Sequence, residues 1–600
     1  MTTIARTKAL TLFVCLTLAT GADANAGTEK HAPVPSNLIR MNQLGYKPKS
    51  SKLVVVIAEK NPGSFTVREL FSNEVVLRGK MRQSTEVTLA GARAWHADLG
   101  NVRKPGRYAL ELPDGQRATF QVAEEVYKDL ADASLKAFYY QRASMPIEDD
   151  HAGIWARTAG HPDHKVLIHS SAASAARPAG TEVSAPKGWY DAGDYNKYVV
   201  NSGITMGTLM SAYERFPEHF SAHTLAIPES GNDMPDILDE VRYNLDWLAR
   251  MQDPNDGGVY HKLTTANFAG MVAPHTATKT RYMVQKSTAA TLDFAAVMAQ
   301  ASRVFAKFQP QHAADYLNAA QAAWQWAKDN PAVAYRQEQL NQRFDPDIVT
   351  GAYGDEHLTD EFFWAAAELY LATEESRYWK VIHTTAIEYS LPNWGDVRWL
   401  GYYSLLANKA KLPKESAPWQ NRVTASLVQA ALDLHSAGMR SAYHTPMASD
   451  PAHFVWGSNA VAANQGILLL EAFRITGNSD FLRGAEDTRD YLLGRNATGY
   501  SFVTGFGTRT PQHPHHRLAA AHPERPPLPG FLVGGPNPAQ QDGCDYPSNI
   551  ADESFIDDVC SYASNEIAIN WNAPFAYLIN GLQALEGRND RRAPIATSAR

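Results

Sequence analysis

Residues 233–251 read DMPDILDEVRYNLDWLARM, and this stretch decides the fold class of most of the chain. Leu238, Val241, Leu245 and Leu248 recur at spacings of three, four and three. That period places them on one face of a helix, which turns once every 3.6 residues. Asp233 suits the cap of such a helix, and Pro235 suits its first turn, where a missing N–H has no partner to lose. The period recurs downstream. In residues 310–330, Leu317, Ala320, Trp324 and Ala327 repeat it, and Pro331 stops the run. Twelve such segments can be marked: 127–141, 199–216, 233–251, 285–306, 311–329, 357–373, 375–389, 394–408, 418–437, 457–476, 478–493 and 563–585. Twelve helices make six hairpins. The prediction is a mainly α domain over 127–586, closed as a six-hairpin α/α barrel.

Upstream, from Leu38 to Val122, the period is that of strands. Lys52–Ala58, Phe65–Leu70, Glu74–Arg78, Ala94–Leu99, Tyr108–Leu112 and Thr119–Val122 are short apolar runs. Asn61-Pro62-Gly63, Lys104-Pro105-Gly106 and Pro113-Asp114-Gly115 are turn signals between them. Residues 36–123 are therefore expected to form a small immunoglobulin-like β-sandwich, without an internal disulfide because the region has no cysteine. Long loops are expected at about 142–190, 252–284, 330–356 and 494–561. Loops of that length in a compact domain usually carry function. Residues 587–600 read as a flexible tail.

The first residues read as an export signal. Arg6 and Lys8 precede the apolar run Ala9–Ala19, and small-residue cleavage sites follow at Ala22-Asp23-Ala24 and Ala24-Asn25-Ala26. Residues 1–26 are thus expected to be a cleaved signal peptide, making the mature chain secreted or periplasmic. The apolar run is too short for a permanent anchor. A net charge of -7 over 600 residues gives no electrostatic reason for a nucleic-acid or membrane partner. The mature chain keeps Cys544 and Cys560, a pair that favours a disulfide in an oxidising compartment, free thiols being the alternative. The 13 Trp and 26 Tyr offer faces that stack on sugar rings, although most aromatic residues serve the core.

Three segments could carry chemistry. In Trp189-Tyr190-Asp191-Ala192-Gly193-Asp194-Tyr195, two carboxylates share a glycine-containing turn before a helix. Like charges held close raise each other's pKa, so one can act as base while the other helps hold a water. A helix cap with a second surface aspartate is the plainer alternative; the flanking aromatics favour a sugar site, Trp189 as a binding face. The second segment, Gly505 to Arg517, contains His513, His515, His516 and Arg517 on a Pro-rich loop. These offer hydrogen-bond donors, and the spacing does not match common zinc sites. In the third, Phe555 to Ala573, Glu566 lies among apolar neighbours near the start of a helix. Desolvation would favour its protonated form, as a general acid needs. A glutamate offsetting the helix dipole is the alternative.

Taken together and in order, these segments resemble the family 9 glycoside hydrolases, a cellulase family with a six-hairpin α/α barrel. The resemblance spans residues 38–585 and includes the immunoglobulin-like domain of one branch. Tyr190-Asp191-Ala192-Gly193-Asp194 resembles the base motif. Gly507 with Pro514-His515-His516-Arg517 resembles the histidine signature. Phe555, Asp557, Tyr562, Glu566, Ala568 and Asn572-Ala573 resemble the acid signature. The resemblance implies a single displacement: Glu566 protonates the glycosidic oxygen, Asp194 deprotonates a water, and Asp191 helps position that water. His515 and Arg517 would hold the sugar beside the scissile bond. Asp557 would join the catalytic set, and Tyr562 would contact substrate. Asp360 and Glu361, with Asp396, resemble a calcium ligand set of the family, a helix N-terminus with acidic first-turn residues being the alternative. The chemistry itself needs no cofactor, and the protein is expected to act as a monomer.

The expected activity is hydrolysis of β-1,4-glucan by an endoglucanase. The alternative within the family is an exo-acting enzyme on cello-oligosaccharides or glucosamine oligomers, with loop 142–190 walling one end of the cleft. A noncatalytic polysaccharide-binding protein is disfavoured by the intact Asp194 and Glu566. A polysaccharide lyase would not require this acid–base pairing.

Overall fold

The computed structural model describes residues 38–591; the expected leader 1–26 and residues 592–600 of the expected tail lie outside them. The decisive stretch is a helix, but it runs Asp236–Leu248, not from Asp233. Pro235, at φ -60° and ψ 135°, holds the N-cap. Asn232 accepts the Met234 amide at 2.7 Å, so the residues before the proline close a turn of their own.

Among the described residues, twelve helices of nine or more residues follow one another. They are α1 Lys128–Tyr140, α2 Val199–Arg215, α3 Asp236–Leu248, α4 Thr288–Val304, α5 Pro310–Asp329, α6 Thr359–Thr373, α7 Ser376–Thr384, α8 Arg398–Ala407, α9 Ala417–Arg440, α10 Ser458–Thr476, α11 Ser479–Leu492 and α12 Ile569–Arg591. α2, α4, α6, α8 and α10 are buried on nearly every side. α5 and α9 bury one stripe each, Tyr316, Ala320, Trp324 and Ala327 on α5, and Trp419, Val423, Leu427 and Ala431 on α9. That difference is the one expected between inner and surface helices. Among the inner helices, α2 packs on α4, α4 on α6 and α6 on α8; α10 packs on α12, and α12 returns to α2. The last helix extends to Arg591, into the stretch expected as a tail.

The N-terminal region is β-rich. Its strands are β1 Ile39–Arg40, β2 Leu53–Ile57, β3 Ser64–Glu69, β4 Val75–Lys80, β5 Arg82–Gln83, β6 Ala94–Asp98, β7 Gly106–Glu111 and β8 Arg117–Val122. They form two four-stranded sheets, ordered β1-β2-β6-β5 and β4-β3-β7-β8. Val54, Val56, Val67, Trp95, Leu110 and Phe120 fill the space between them. The sandwich is laced to the helical domain by buried polar contacts. Asn42 Nδ2 donates to the Tyr127 hydroxyl at 3.0 Å and to Asp490 Oδ1 at 2.7 Å.

Loops 142–190 and 252–284 are not featureless. With the turn after Asp194 they contribute β9 Val166–Ile168, β10 Glu182–Val183, β11 Lys197–Tyr198, β12 Lys262–Thr265 and β13 Arg281–Met283. These form one sheet in the order β10-β9-β13-β12-β11. Strands of two to four residues carry too little period to be read from sequence. Tyr198 sits opposite Lys262 in the β11–β12 ladder, which places their side chains on one face beside the aspartate turn. No helix among the described residues is long and apolar enough to cross a membrane.

Candidate active site

The three signature segments meet at Gly193. Its amide donates to Glu566 Oε1 at 3.3 Å. Its carbonyl accepts from the Arg517 amide at 3.0 Å and from an Arg517 guanidinium nitrogen at 2.9 Å. Only a glycine permits this approach, because a Cβ would collide with the carbonyl oxygen of His515.

The aspartate turn lies between the end of loop 142–190 and α2. Asp194 Oδ2 accepts from the Asn196 amide at 3.2 Å, from Asn196 Nδ2 at 2.5 Å and from the Tyr198 hydroxyl at 3.1 Å. These donors favour the anion. Asp191 is buried. Its Oδ2 accepts from Asn201 Nδ2 at 3.0 Å and from the Tyr353 hydroxyl at 3.3 Å, while Oδ1 has no partner. Burial, and then the nearby charge of Asp194, pushes the Asp191 carboxyl well above its ordinary range.

Glu566 follows the short helical turn Tyr562–Asn565 in extended conformation, with φ -74° and ψ 155°. It precedes α12 and does not lie within it, contrary to the expected helix 563–585. Its backbone pairs with His515, and its carbonyl accepts the Gly534 amide at 2.8 Å. Burial raises the Glu566 carboxyl well above its ordinary range, the charge of Asp194 adds to this, and Arg517 opposes it. A carboxyl whose burial favours the proton is thus set against a carboxyl that accepts from three donors. That contrast is what separates an acid from a base in one site.

The other expected residues divide. His515 Nδ1 lies 2.6 Å from the Val559 carbonyl, so Nδ1 carries the proton and Nε2 is an acceptor. Burial lowers the His515 pKa. His516 is buried against Gln141 Oε1 at 3.1 Å and is held neutral by burial, at about 3. Arg517 Nε donates to the Ala269 carbonyl at 2.8 Å, so this guanidinium fixes loop backbone as well as facing Glu566. Tyr562 donates to the Gln541 carbonyl at 2.9 Å and lies 5.3 Å from Trp456, ring to ring. Cys544 and Cys560 are joined in a disulfide.

Two expectations need correction. Trp189 is 0% exposed, packs on Phe138 and donates from Nε1 to Glu240 at 3.4 Å, so it cannot stack on a sugar. Tyr190 and Tyr195 are buried likewise, with the Tyr190 hydroxyl on His161 Nδ1 and the Tyr195 hydroxyl on the Val272 carbonyl. The aromatics that favoured a sugar site are the core under it. Asp557 is also displaced from the catalytic set. Its oxygens accept the amides of Gln512 at 2.8 Å and His513 at 2.9 Å, which makes it an anchor of the histidine loop.

The cleft is walled by residues that the motifs did not contain. A cavity of about 600 Å³ opens beside Glu566, lined by Tyr353, Trp394, Trp456, Asn464 and Trp571 among others. Tyr353 stands 5.4 Å from Trp394 and 4.9 Å from Tyr198, at a φ of 49°. Its only sequence signal was membership of the long loop 330–356. Asn196 and Tyr198, two and four residues past Asp194, also lay outside the motifs.

Asp360, Glu361 and Asp396, expected to hold calcium, are neighbours. Asp360 Oδ2 accepts the Val397 amide at 2.8 Å. Glu361 is buried against Asp360, and both Asp293 oxygens are buried beside them. Burial, and then the charge of Asp360, raises the Glu361 and Asp293 carboxyls well above their ordinary range. Among the described residues no group of three or more His, Cys, Asp or Glu side chains is placed to hold a metal ion. A calcium site at Asp360, Glu361 and Asp396 is thus not shown, and no step below passes through a metal.

A glutamate whose burial favours its proton and an aspartate held by three donors stand beside an aromatic-walled cleft on a helical domain, an arrangement suited to a hydrolase of the acid–base type. Glycosyl hydrolase family 9 matches residues 127–579, and a cellulase N-terminal ig-like domain matches residues 35–117. The chain belongs to glycosyl hydrolase family 9. It is 47% identical to a xyloglucan-specific endo-beta-1,4-glucanase of Bacteroides ovatus over 567 residues, 94% of this chain and 96% of that one. It is 31% identical to endoglucanase D of Acetivibrio thermocellus over 562 residues, 90% of this chain and 83% of the other. A solved Bacteroides ovatus GH9 structure superposes with a TM-score of 0.87 at 46% identity, covering 91% of this chain and 99% of that one.

Proposed function

We propose that this protein is an inverting endo-β-1,4-glucanase. The observation that carries the proposal is the contrast across Gly193. Burial and like charge favour a proton on Glu566, while three donors favour the anion of Asp194. Glu566 then delivers its proton to the glycosidic oxygen. Asp194 takes a proton from the water that attacks the anomeric carbon from the opposite face. Asp191, protonated and tied to Asn201 and Tyr353, orients that water. Because the bond to water forms as the glycosidic bond breaks, the configuration inverts. His515, with Nε2 free to accept, would meet a hydroxyl of the leaving sugar.

The endo reading is supported by the relatives, a xyloglucan-specific endo-beta-1,4-glucanase and an endoglucanase D. The glucan reading is supported by the Bacteroides and Acetivibrio relatives. The helix order supports a six-hairpin barrel, with α2, α4, α6, α8, α10 and α12 inside. Export after cleavage of residues 1–26 is supported by the leader pattern and by the Cys544–Cys560 disulfide.

The test compares viscosity loss with release of reducing ends on xyloglucan, barley β-glucan, carboxymethyl cellulose and chitosan. Rapid viscosity loss on a β-1,4-glucan is expected, with the α-anomer first in proton NMR. Steady release of small sugars at constant viscosity, or a first-formed β-anomer, would overturn the proposal.

A further inference from the structure

The backbone of His515 is fixed by Asn565, whose carbonyl accepts the His515 amide at 2.9 Å. Its ring is fixed elsewhere. Nδ1 meets the Val559 carbonyl at 2.6 Å, and the ring of Tyr562 stands edge-on at 5.9 Å. Both contacts come from one bend, Val559 to Tyr562, which carries little packing of its own. Val559 is 37% exposed and borders a cavity of about 260 Å³ beside Gln512, His513 and Pro514. Cys560 is exposed as well.

The bend is clasped by residues 541–546. The Tyr562 hydroxyl donates to the Gln541 carbonyl at 2.9 Å, the Ala563 amide donates to Asp542 Oδ2 at 2.8 Å, and the Tyr546 and Ser561 hydroxyls lie 2.7 Å apart. Those contacts hold residues 561–563. The disulfide from Cys544 reaches one residue further, to Cys560. The Val559 carbonyl lies in the rigid peptide plane that it shares with the Cys560 amide, so moving Cys560 moves the carbonyl. Asp558 Oδ1 accepts the Cys560 amide at 2.7 Å, and the Asp558 carbonyl accepts the Ser561 amide at 3.0 Å. These local bonds shape the bend without tying it to residues 541–546. The clasp itself is rooted in the core: Asn537, fully buried, donates to Gln541 Oε1 at 2.7 Å and to the Ala563 carbonyl at 3.0 Å.

We infer that Cys560, through its disulfide to Cys544, is a positioning residue for substrate: the crosslink holds the Val559 carbonyl where it orients the His515 ring, and breaking it weakens sugar binding without unfolding the chain. The inference rests on His515 being a sugar contact of the β-glucanase proposed above. With the carbonyl in place, Nδ1 carries the proton and Nε2 is left as the acceptor for a sugar hydroxyl. With the carbonyl displaced, the ring can turn and either nitrogen can carry the proton. A dithiol opens the crosslink by exchange: the disulfide gains two electrons and two protons and becomes two thiols, while the dithiol becomes a cyclic disulfide. The exposure of Cys560 gives the reagent access.

The test compares the enzyme before and after dithiothreitol, with a thiol assay to establish that both cysteines are free and circular dichroism to establish that the fold persists. The Cys544→Ser/Cys560→Ser variant is measured beside it. On barley β-glucan, KM is expected to rise about fivefold on reduction, the scale of one net hydrogen bond, with kcat changed by less than about twofold. Reoxidation is expected to restore the parent values. Calorimetry of cellohexaose binding to Glu566→Gln takes hydrolysis out of the comparison and is expected to show the same loss. The decisive arm is Glu566→Gln/His515→Ala, in which reduction is expected to leave cellohexaose affinity unchanged, because the crosslink acts through His515. An equal loss with and without His515 overturns the inference, as does an unchanged KM in the fully reduced enzyme. Unfolding on reduction would make the bond a staple of the fold and overturn it too. If the double serine variant does not fold, the reduced parent decides. Failure of oxidised Glu566→Gln to bind cellohexaose would instead overturn the glucanase reading.

Discussion

The amide of Gly193 donates to the carboxyl of Glu566, while the carbonyl of Gly193 is clamped by Arg517. A single residue without a side chain therefore sets how far the aspartate turn stands from the carboxyl opposite and from the arginine loop. A Cβ there would meet the His515 backbone and would lie 3.0 Å from Glu566 Oε1. The His515 backbone cannot yield as the end of a flexible side chain can. Gly193→Ala is expected to fold and to lose about 10²-fold in kcat, the scale of an ångström-size misplacement of reacting groups. Steady-state kinetics on β-glucan check this, and a kcat within a factor of two of the parent would show that the spacing is not critical.

Glu566→Gln keeps the shape and removes the proton that Glu566 is proposed to deliver. Asp194→Asn keeps the cradle of Asn196 and Tyr198 and removes the charge that accepts a proton from water. Each is expected to lower kcat by about 10²–10⁴-fold with an unchanged circular dichroism spectrum. Asp557→Asn is expected to behave differently, because its carboxylate holds the Gln512 and His513 amides and no reacting group. Its effect should appear in KM and melting temperature more than in kcat. An Asp557→Asn variant as dead in kcat as Glu566→Gln would return Asp557 to the catalytic set.

The helices were legible because burial on one face imposes a period that polar loops do not share. Leu238, Val241, Leu245 and Leu248 are all buried as their spacing implies. The helix starts were less legible, since Asn232 and Pro235 compete with Asp233 for the role of cap. Asp191, Asp194 and Glu566 stood out because chemistry keeps them within recognisable neighbourhoods. Trp189 misled because an aromatic beside a motif has the same letter whether it faces sugar or core. Tyr353 had no local pattern. A tyrosine in a 27-residue loop becomes meaningful only when residues 350–353 are brought against the aspartate turn.

The raised carboxyls make stability depend on pH with a definite sign. In the unfolded chain Asp191 and Glu566 ionise near 3.8 and 4.5. Folded, burial keeps both protonated to higher pH. Between those limits the folded protein binds more protons than the unfolded one, so this contribution is complete below the unfolded values and is lost as pH rises. An amide has no such proton to lose. Asp191→Asn and Glu566→Gln are expected to melt above the parent at about pH 8, with the difference shrinking toward about pH 4. Thermal melts across that range decide it; a difference that grew toward acid would mean that the carboxyls are stabilised as anions.

The N-terminal domain reaches the loop of His515 and Arg517 through Gln43. Gln43 Nε2 donates to the Gly499 carbonyl at 2.8 Å, and Gln43 Oε1 accepts the Thr508 and Arg509 amides at 2.8 Å each and the Thr508 hydroxyl at 3.1 Å. Those residues begin the loop that Asp557 holds at 512–513 and that ends in His515 and Arg517. The loop is thus pinned at its start by one domain and at its middle by the other. Gln43→Met preserves the length of the side chain and leaves two amides and a carbonyl without their partner, a loss of about 1–3 kcal/mol. The expected outcome is a lower melting temperature together with a raised KM, because loosening the start of the loop lets His515 leave the position in which Nε2 meets the sugar. Asp194 and Glu566 are untouched, so kcat at saturating β-glucan should change least. A drop in melting temperature with KM unchanged would show that Asp557 alone suffices to place His515, and that the sandwich stabilises the helical domain without shaping its cleft.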